Sequence, residues 1–225
     1  MKPIMTFSIF AISLLMMMCS TSEQNQSKEI ALEPTSIANV QLDTLSTAYF
    51  ASGCFWCVEA IFESVKGVEE AISGYAGGKE QNPTYQQVGA GRTGHTETVK
   101  VYYNPNVVSY EMLITVYYGS HDPTTVNGQH PDYGSQYRSI IFYQNDSEKK
   151  IANTYKTKLE SSGEYDKPIA TEIIPFVKFW EAEGYHQNYE KLNPNNPYVL
   201  GVSVPRLKKF QAKYPELLKS QHGER

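Results

Sequence analysis

Thr47-Ala48-Tyr49-Phe50-Ala51-Ser52-Gly53-Cys54-Phe55-Trp56-Cys57 is the stretch on which the reading of the chain turns. Thr47 to Ser52 is short, apolar and aromatic, and predicts a strand. After it, Val58, Ile61, Phe62 and Val65 recur at i, i+3, i+4 and i+7. That spacing is one face of an amphipathic helix, which Gly67 stops. Cys54 therefore falls at a strand-to-helix turn, on the first turn of the helix. Backbone N–H groups without intrahelical partners favour an anion there. A cysteine so placed is expected to lose its proton readily, and the thiolate is the nucleophile. Cys57 brings a second thiol three residues later.

Three readings compete for the two thiols. They are buried core cysteines, a zinc site, or a redox pair. Cys-x-x-Cys at a helix start favours the redox pair. Zinc would need two further ligands from His95, His121, His130, His186 or His222, and none of these forms a paired histidine clip. A c-type haem is excluded, because Val58 stands where histidine would be required.

At 225 residues the chain suits one domain with extensions. A net charge of −4 is too mild to point to nucleic acid or a membrane surface as partner. The 17 Tyr against 2 Trp suit a pocket that needs flat apolar walls and hydroxyl donors together. Three cysteines are too few for a disulfide scaffold, and Cys19 belongs to a different segment from the other two.

Met1-Lys2 precedes an apolar run from Ile4 to Met18 that ends at Cys19-Ser20. This predicts a secretory signal over residues 1–19. The ending on Cys-Ser resembles a bacterial lipoprotein signal, with Cys19 lipidated, although Met17 and Met18 stand where small residues are usual. The expected location is periplasmic or membrane-attached. Residues 20–46 are polar and aperiodic and read as a flexible tether. Residues 47–225 are the folded domain.

Val68 to Tyr75 predicts a second strand, and Asn82 to Val88 a turn into a short helix. Glu97, Val99, Val101 and Tyr103 alternate with Thr98, Lys100 and Tyr102, the pattern of a half-buried strand. Glu97 is unusual there, a carboxylate on the apolar face. Either the strand end is exposed at Glu97, or desolvation raises its pKa. Tyr110, Leu113, Ile114 and Tyr117 mark a helix ended by Gly119. His121 to Gln136 is a long polar loop of the kind that carries function. Tyr137 to Tyr143 predicts a strand. Asp146 is expected to cap a helix through Ser161, with a strand over Ile169 to Ile174 after it. Further on come an aromatic loop over Phe176 to Trp180, a helix over Ala182 to Leu192, and a terminal helix over Ser203 to Lys219, interrupted at Pro215. Strand, helix, strand, strand, helix, strand is the ferredoxin-like order. The expected class is α+β, a two-layer sandwich with a βαββαβ core and a C-terminal extension. Gly89, Gly91 and Gly94 have Gly-x-Gly-x-x-Gly spacing, but they neither follow a strand nor open a long helix, so they carry little weight as a nucleotide site.

Six motifs in order resemble peptide-methionine sulfoxide reductase A. They are Gly53-Cys54-Phe55-Trp56, Gly74-Tyr75-Ala76-Gly77-Gly78, Asn82-Pro83-Thr84-Tyr85, Gly94-His95-Thr96-Glu97, His121-Asp122-Pro123 and Asp132-Tyr133-Gly134-Ser135-Gln136-Tyr137-Arg138-Ser139. Tyr185-His186-Gln187-Asn188-Tyr189 looks similar too. The resemblance runs from about Tyr49 to the C-terminus. It implies reduction of the S epimer of methionine sulfoxide, free or in proteins, with no bound cofactor. Cys54 would attack the sulfoxide sulfur and Glu97 would protonate its oxygen. By their matching positions, Tyr85 and Tyr137 would donate to that oxygen and Asp132 would support them. Phe55 and Trp56 would hold the substrate methyl, against the simpler reading that they are packing residues.

The chain departs from the commoner family form at Cys57, where that form has glycine, and nothing after Cys57 is a cysteine. Regeneration would then use Cys57 as resolving thiol, or an outside reductant such as thioredoxin or a small thiol. A monomer is expected. The alternative reading is a thioredoxin-like thiol–disulfide exchanger built on Cys54 and Cys57, which would have no use for Glu97 and the two tyrosines. A lipid-anchored module that binds sulfoxide without turnover is disfavoured by the nucleophile.

Overall fold

The computed structural model describes residues 45–220, all within the compact unit Gln41–Arg225. The expected signal peptide, Cys19 and most of the tether lie outside the described residues. The described part opens with β1 (Ser46–Ala51), α1 (Phe55–Glu63), β2 (Val68–Ala76), α2 (Tyr85–Gly89), β3 (Thr96–Tyr103) and α3 (Tyr110–Gly119). A small hairpin, β4 (Gly128–Gln129) and β5 (Asp132–Tyr133), then leads to β6 (Ile140–Tyr143) and α4 (Asp146–Ser161). The C-terminal part adds β7 (Glu172–Pro175), β8 (Phe179–Glu181), α5 (Tyr189–Leu192) and α6 (Val204–Lys213).

Six strands form one mixed sheet in the order β7-β6-β1-β3-β2-β8. β1 is antiparallel to both β3 and β6, and β2 is antiparallel to β3. The C-terminal part supplies both edges, β7 parallel to β6 and β8 antiparallel to β2.

Alternation along β1 explains the layering. Ala48 and Phe50 point into the main core with Val99 and Val101, under Val58, Ile61 and Phe62 of α1 and Leu113, Ile114 and Tyr117 of α3. The Phe50 and Phe62 rings stack with centroids 5.0 Å apart. Tyr49 and Ala51 point the other way, with Ile140 and Phe142, and Phe176 and Phe179 cover them. Full burial of such side chains contributes roughly 1.5–3 kcal/mol each.

Several boundaries differ from the sequence expectations. Tyr137 is in a 3-10 turn, Ser135–Tyr137, and the strand starts only at Ile140. Asn145, rather than Asp146, caps α4, its side chain accepting from Glu148 N–H. The strand expected over 169–174 runs from Glu172 to Pro175, where it finds β6 as a partner. Phe179 to Glu181, overlapping the end of the expected aromatic loop, is strand because β2 offers it a free edge. The expected helix over 182–192 is a 3-10 turn, Gly184–His186, and the single-turn α5. Between them the Gln187 side chain bonds Ser73 N–H and two carbonyls, those of Ser73 and Ala182, completing the edge of β2 in place of a helix. The terminal helix ends at Lys213, before Pro215.

Candidate active site

Cys54 stands where β1 delivers the chain into α1. Gly53 makes the turn at φ +87°, and a Cβ there would come within 2.8 Å of Gln129 Cβ. Glycine is therefore required twice over, by conformation and by space. Cys54 is the N-cap of α1 at φ −55°, ψ 124°, outside helical geometry, and Cys57 follows in the first turn. Both thiols are free. Cys54 is 7% exposed and Cys57 1%.

Glu97, on β3, is buried and reaches across to this helix end, where its Oε2 accepts the Phe55 N–H at 3.0 Å. The anion-seeking group at the helix start is thus taken by Glu97. Burial raises the Glu97 pKa to about 8, the Phe55 bond only partly offsetting it. Glu97 is accordingly a proton donor near neutral pH.

The expectation that Cys54 loses its proton readily does not hold in this structure. Burial, its hydrogen bond to Cys57 and the nearby Glu97 all push the Cys54 thiol up. Cys57 moves down. It accepts from Cys54 and from Ser203 Oγ–H at 2.9 Å, and Arg206 adds a favourable positive charge. The pair titrates as a unit, with the proton on Cys54 and the negative charge favoured on Cys57.

The remaining expected residues converge on the same end of the sheet. Phe55 is fully buried, its ring 5.0 Å from His186 and 6.3 Å from Tyr85. Trp56 is half-buried and lies flat on Tyr189, centroids 3.7 Å apart and planes within 7°. Its indole N–H donates to His186 Nδ1 at 3.1 Å. That contact fixes His186 as the Nε2–H tautomer, and burial lowers its pKa, so it stays neutral. Tyr85 begins α2, which Thr84 and Gln87 secure through a capping box. Glu183 clamps α2 to β2 by accepting Tyr85 N–H at 3.0 Å and Tyr75 O–H at 2.8 Å. Burial raises Tyr85 to about 12 and raises Tyr137 also, and Glu97, Asp132 and Cys54 bear electrostatically on both. Both phenols therefore remain donors.

Asp132, on β5, accepts a hydrogen bond of 2.5 Å from Tyr198 O–H, and the same hydroxyl lies 3.9 Å from Cys57 Sγ. Sequence reasoning missed Tyr198, Ser203 and Arg206. Tyr198 follows Asn193-Pro194-Asn195-Asn196-Pro197, which reads only as a turn, and the other two carry no local signal. His95, by contrast, is structural. Its Nδ1 accepts Gly78 N–H and its Nε2–H donates to the Glu80 carbonyl.

Two thiols sharing one proton, beside a buried protonated carboxyl at a helix start, define a thiol-dependent oxidoreductase site. The family model for peptide methionine sulfoxide reductase matches residues 46–218, and the chain belongs to that family. It is 42% identical to a peptide methionine sulfoxide reductase MsrA of Polynucleobacter asymbioticus, over 83% of this chain and 98% of that protein. It is 45% identical to one from Natronomonas pharaonis, over 78% of this chain and 99% of that protein. Among solved structures, the reduced form of Mxr1 from Saccharomyces cerevisiae matches with a TM-score of 0.63 and 34% identity, covering 68% of this chain and 88% of that one. The methionine sulfoxide reductase A of Corynebacterium diphtheriae matches with a TM-score of 0.60 and 36% identity, covering 67% and 76%.

Proposed function

We propose that the protein reduces the S epimer of methionine sulfoxide, free or in proteins, and that Cys54 and Glu97 carry the reaction. The observation that supports this most is Glu97, a buried carboxyl held at the start of α1 beside Cys54. Sulfoxide oxygen leaves poorly until protonated. Glu97 gives it a proton while Tyr85 and Tyr137 donate hydrogen bonds to it. Cys54 sulfur bonds to the electrophilic sulfoxide sulfur as the Cys54 thiol proton is lost. Oxygen ends on Cys54 as a sulfenic acid, methionine leaves as the sulfide, and Glu97 regains its proton. Trp56, Phe55 and Tyr189 wall the site for the substrate methyl, and Asp132 orients polar groups through Tyr198. Cys57 thiolate then attacks Cys54 Sγ, the hydroxyl leaves as water on taking the proton of Glu97, which solvent restores, and a disulfide forms. Thioredoxin or a small thiol reduces it.

The four central strands, β6-β1-β3-β2, all antiparallel, support reading the core as a ferredoxin-like sandwich. The thioredoxin-like exchanger is not favoured, because the family is one of sulfoxide reductases. The separating experiment supplies dithiothreitol with and without a methyl sulfoxide. This reading expects dithiol consumption only when sulfoxide is present. Reduction of insulin disulfides without sulfoxide would contradict it. The signal at residues 1–19 and Cys-Ser at 19–20 support export with Cys19 as a lipidated N-terminus. Intact mass of the native protein tests this, and an unlipidated product starting elsewhere refutes it.

A further inference from the structure

The reading of Cys57 as resolving thiol leaves open which sulfur of the Cys54–Cys57 disulfide the reductant attacks. Two conditions decide it, access to the attacked sulfur and stability of the departing thiolate. Access divides, since Cys54 keeps 7% of its surface exposed against 1% for Cys57, while the neighbouring cleft is lined by Cys57. Departure favours Cys57, for reasons of geometry. The π-helical turn Val199–Ser203 folds over Cys57 and brings Ser203 Oγ–H to within 2.9 Å of its sulfur. Tyr198 Oη lies 3.9 Å from it, but its hydrogen is given to Asp132. Arg206, one helical turn beyond Ser203, is fixed by bonds to the carbonyls of Ser120 and Ser52 at 2.8 and 2.9 Å, and its charge acts on the same thiolate. Ser203 is fully buried, and its hydroxyl has the Cys57 sulfur and the Glu190 carboxylate as its neighbouring acceptors. Cys54, the N-cap, shares the Tyr198 hydroxyl with Cys57 but has no counterpart to Ser203 or Arg206, and the first helical N–H beside it serves Glu97.

Resting on that reading of Cys57, we infer that the reductant attacks Cys54 and that Ser203, with Arg206, stabilises Cys57 as the leaving thiolate. The reductant's thiolate bonds to Cys54 Sγ as the Cys54–Cys57 bond breaks, and the electron pair departs on Cys57. The reductant's second thiol then attacks its own bonded sulfur, closes its disulfide and expels Cys54. Both electrons come from the dithiol. Of its two protons, one ends on Cys54 and one in solvent, with Cys57 left as thiolate. Ser203 is in this sense catalytic for regeneration, because it touches a reacting sulfur.

The test begins with wild-type protein turned over once with sulfoxide and no reductant. Its intact mass is recorded first, to show the loss of two hydrogens. A monothiol thioredoxin variant is then added, the reaction is quenched in acid, and the adduct is located by fragmentation of the peptide carrying both cysteines. The expected adduct is on Cys54. An adduct on Cys57, reached through the cleft of about 910 Å³ that Cys57 lines with Tyr198, Gln129 and Arg206, would overturn the inference while leaving the resolving role intact. Absence of the disulfide at the first step would overturn the resolving role and the inference together. Ser203→Ala is expected to slow disulfide reduction by a small thiol about tenfold, since a hydrogen bond to a charged group is lost. It should also raise the pH at which Cys57 absorbs as thiolate. Ser203→Thr, which keeps the donor, should restore both. An unchanged rate in Ser203→Ala would overturn the leaving-group role.

Discussion

At the scale of single residues, Glu97 is where the chemistry is most exposed to test. On the proposed mechanism its acid form is the active one, so its contribution persists below its pKa and disappears above it. Glu97→Gln keeps shape and a donor but has no proton to transfer, and the expected loss is roughly 10²–10⁴ in first-turnover rate. The ratio of wild-type to Glu97→Gln rates should fall as pH rises through about 8, where Glu97 ionises. A ratio constant with pH would place the acid elsewhere. Cys54→Ser should abolish the reaction, and activity above a few per cent would remove Cys54 as nucleophile. The sequence made Glu97 conspicuous, because strict alternation left a carboxylate on an apolar face. It could not disclose that Glu97 takes the Phe55 N–H, since that bond joins residues 42 apart in the chain. Burial is the main reason that the expectation about the Cys54 proton fails, with the Cys57 bond and Glu97 adding to it. A helix start stabilises a thiolate only if its N–H groups are free to do so.

Secondary-structure elements were legible where periodicity was long and local. α1 and α3 showed their buried faces in the spacing of Val58, Ile61 and Phe62, and of Leu113, Ile114 and Tyr117, and all six are buried. β7 and β8 were displaced or missed because their existence depends on free edges of β6 and β2, which no local pattern reveals. Gly74 is the residue that makes β8 fit. A Cβ there would lie 2.2 Å from the Phe179 ring and 2.4 Å from the Trp180 carbonyl. Gly74→Ala should therefore force β8 off β2. The expected cost is about 1–3 kcal/mol, the range for overpacking, read as a drop in the thermal midpoint at fixed pH. Because β8 leads through Glu183 to the clamp on Tyr85, KM should rise as well. An unchanged midpoint and KM would show that β8 does not support the site.

Over the whole molecule, two buried carboxyls tie stability to pH in an uncommon direction. Glu59 on α1 accepts from Ser73 O–H of β2 and from the Asn188 N–H, joining the helix, the sheet and the C-terminal part. Burial raises its pKa to about 8, as for Glu97. Unfolded, both titrate near 4.3, so between about pH 4.5 and 8 the folded state holds more protons. Stability from these groups is complete below the unfolded value and is lost as pH rises through 8. The midpoint should fall from pH 5 to pH 8, and Glu59→Gln should remove about 1.4 kcal/mol per pH unit from that slope. A slope identical to wild type would mean that Glu59 is ionised when folded. On the proposed mechanism, Cys54 takes oxygen from an S-sulfoxide and passes the oxidation to Cys57. The direct measurement is a single turnover without reductant, with the two epimers of a methionine sulfoxide peptide supplied separately. The S epimer should yield one equivalent of methionine per protein, with the Cys54–Cys57 peptide two hydrogens lighter, and the R epimer none. Equal yields from both epimers, or methionine formed with both thiols still reduced, would contradict it.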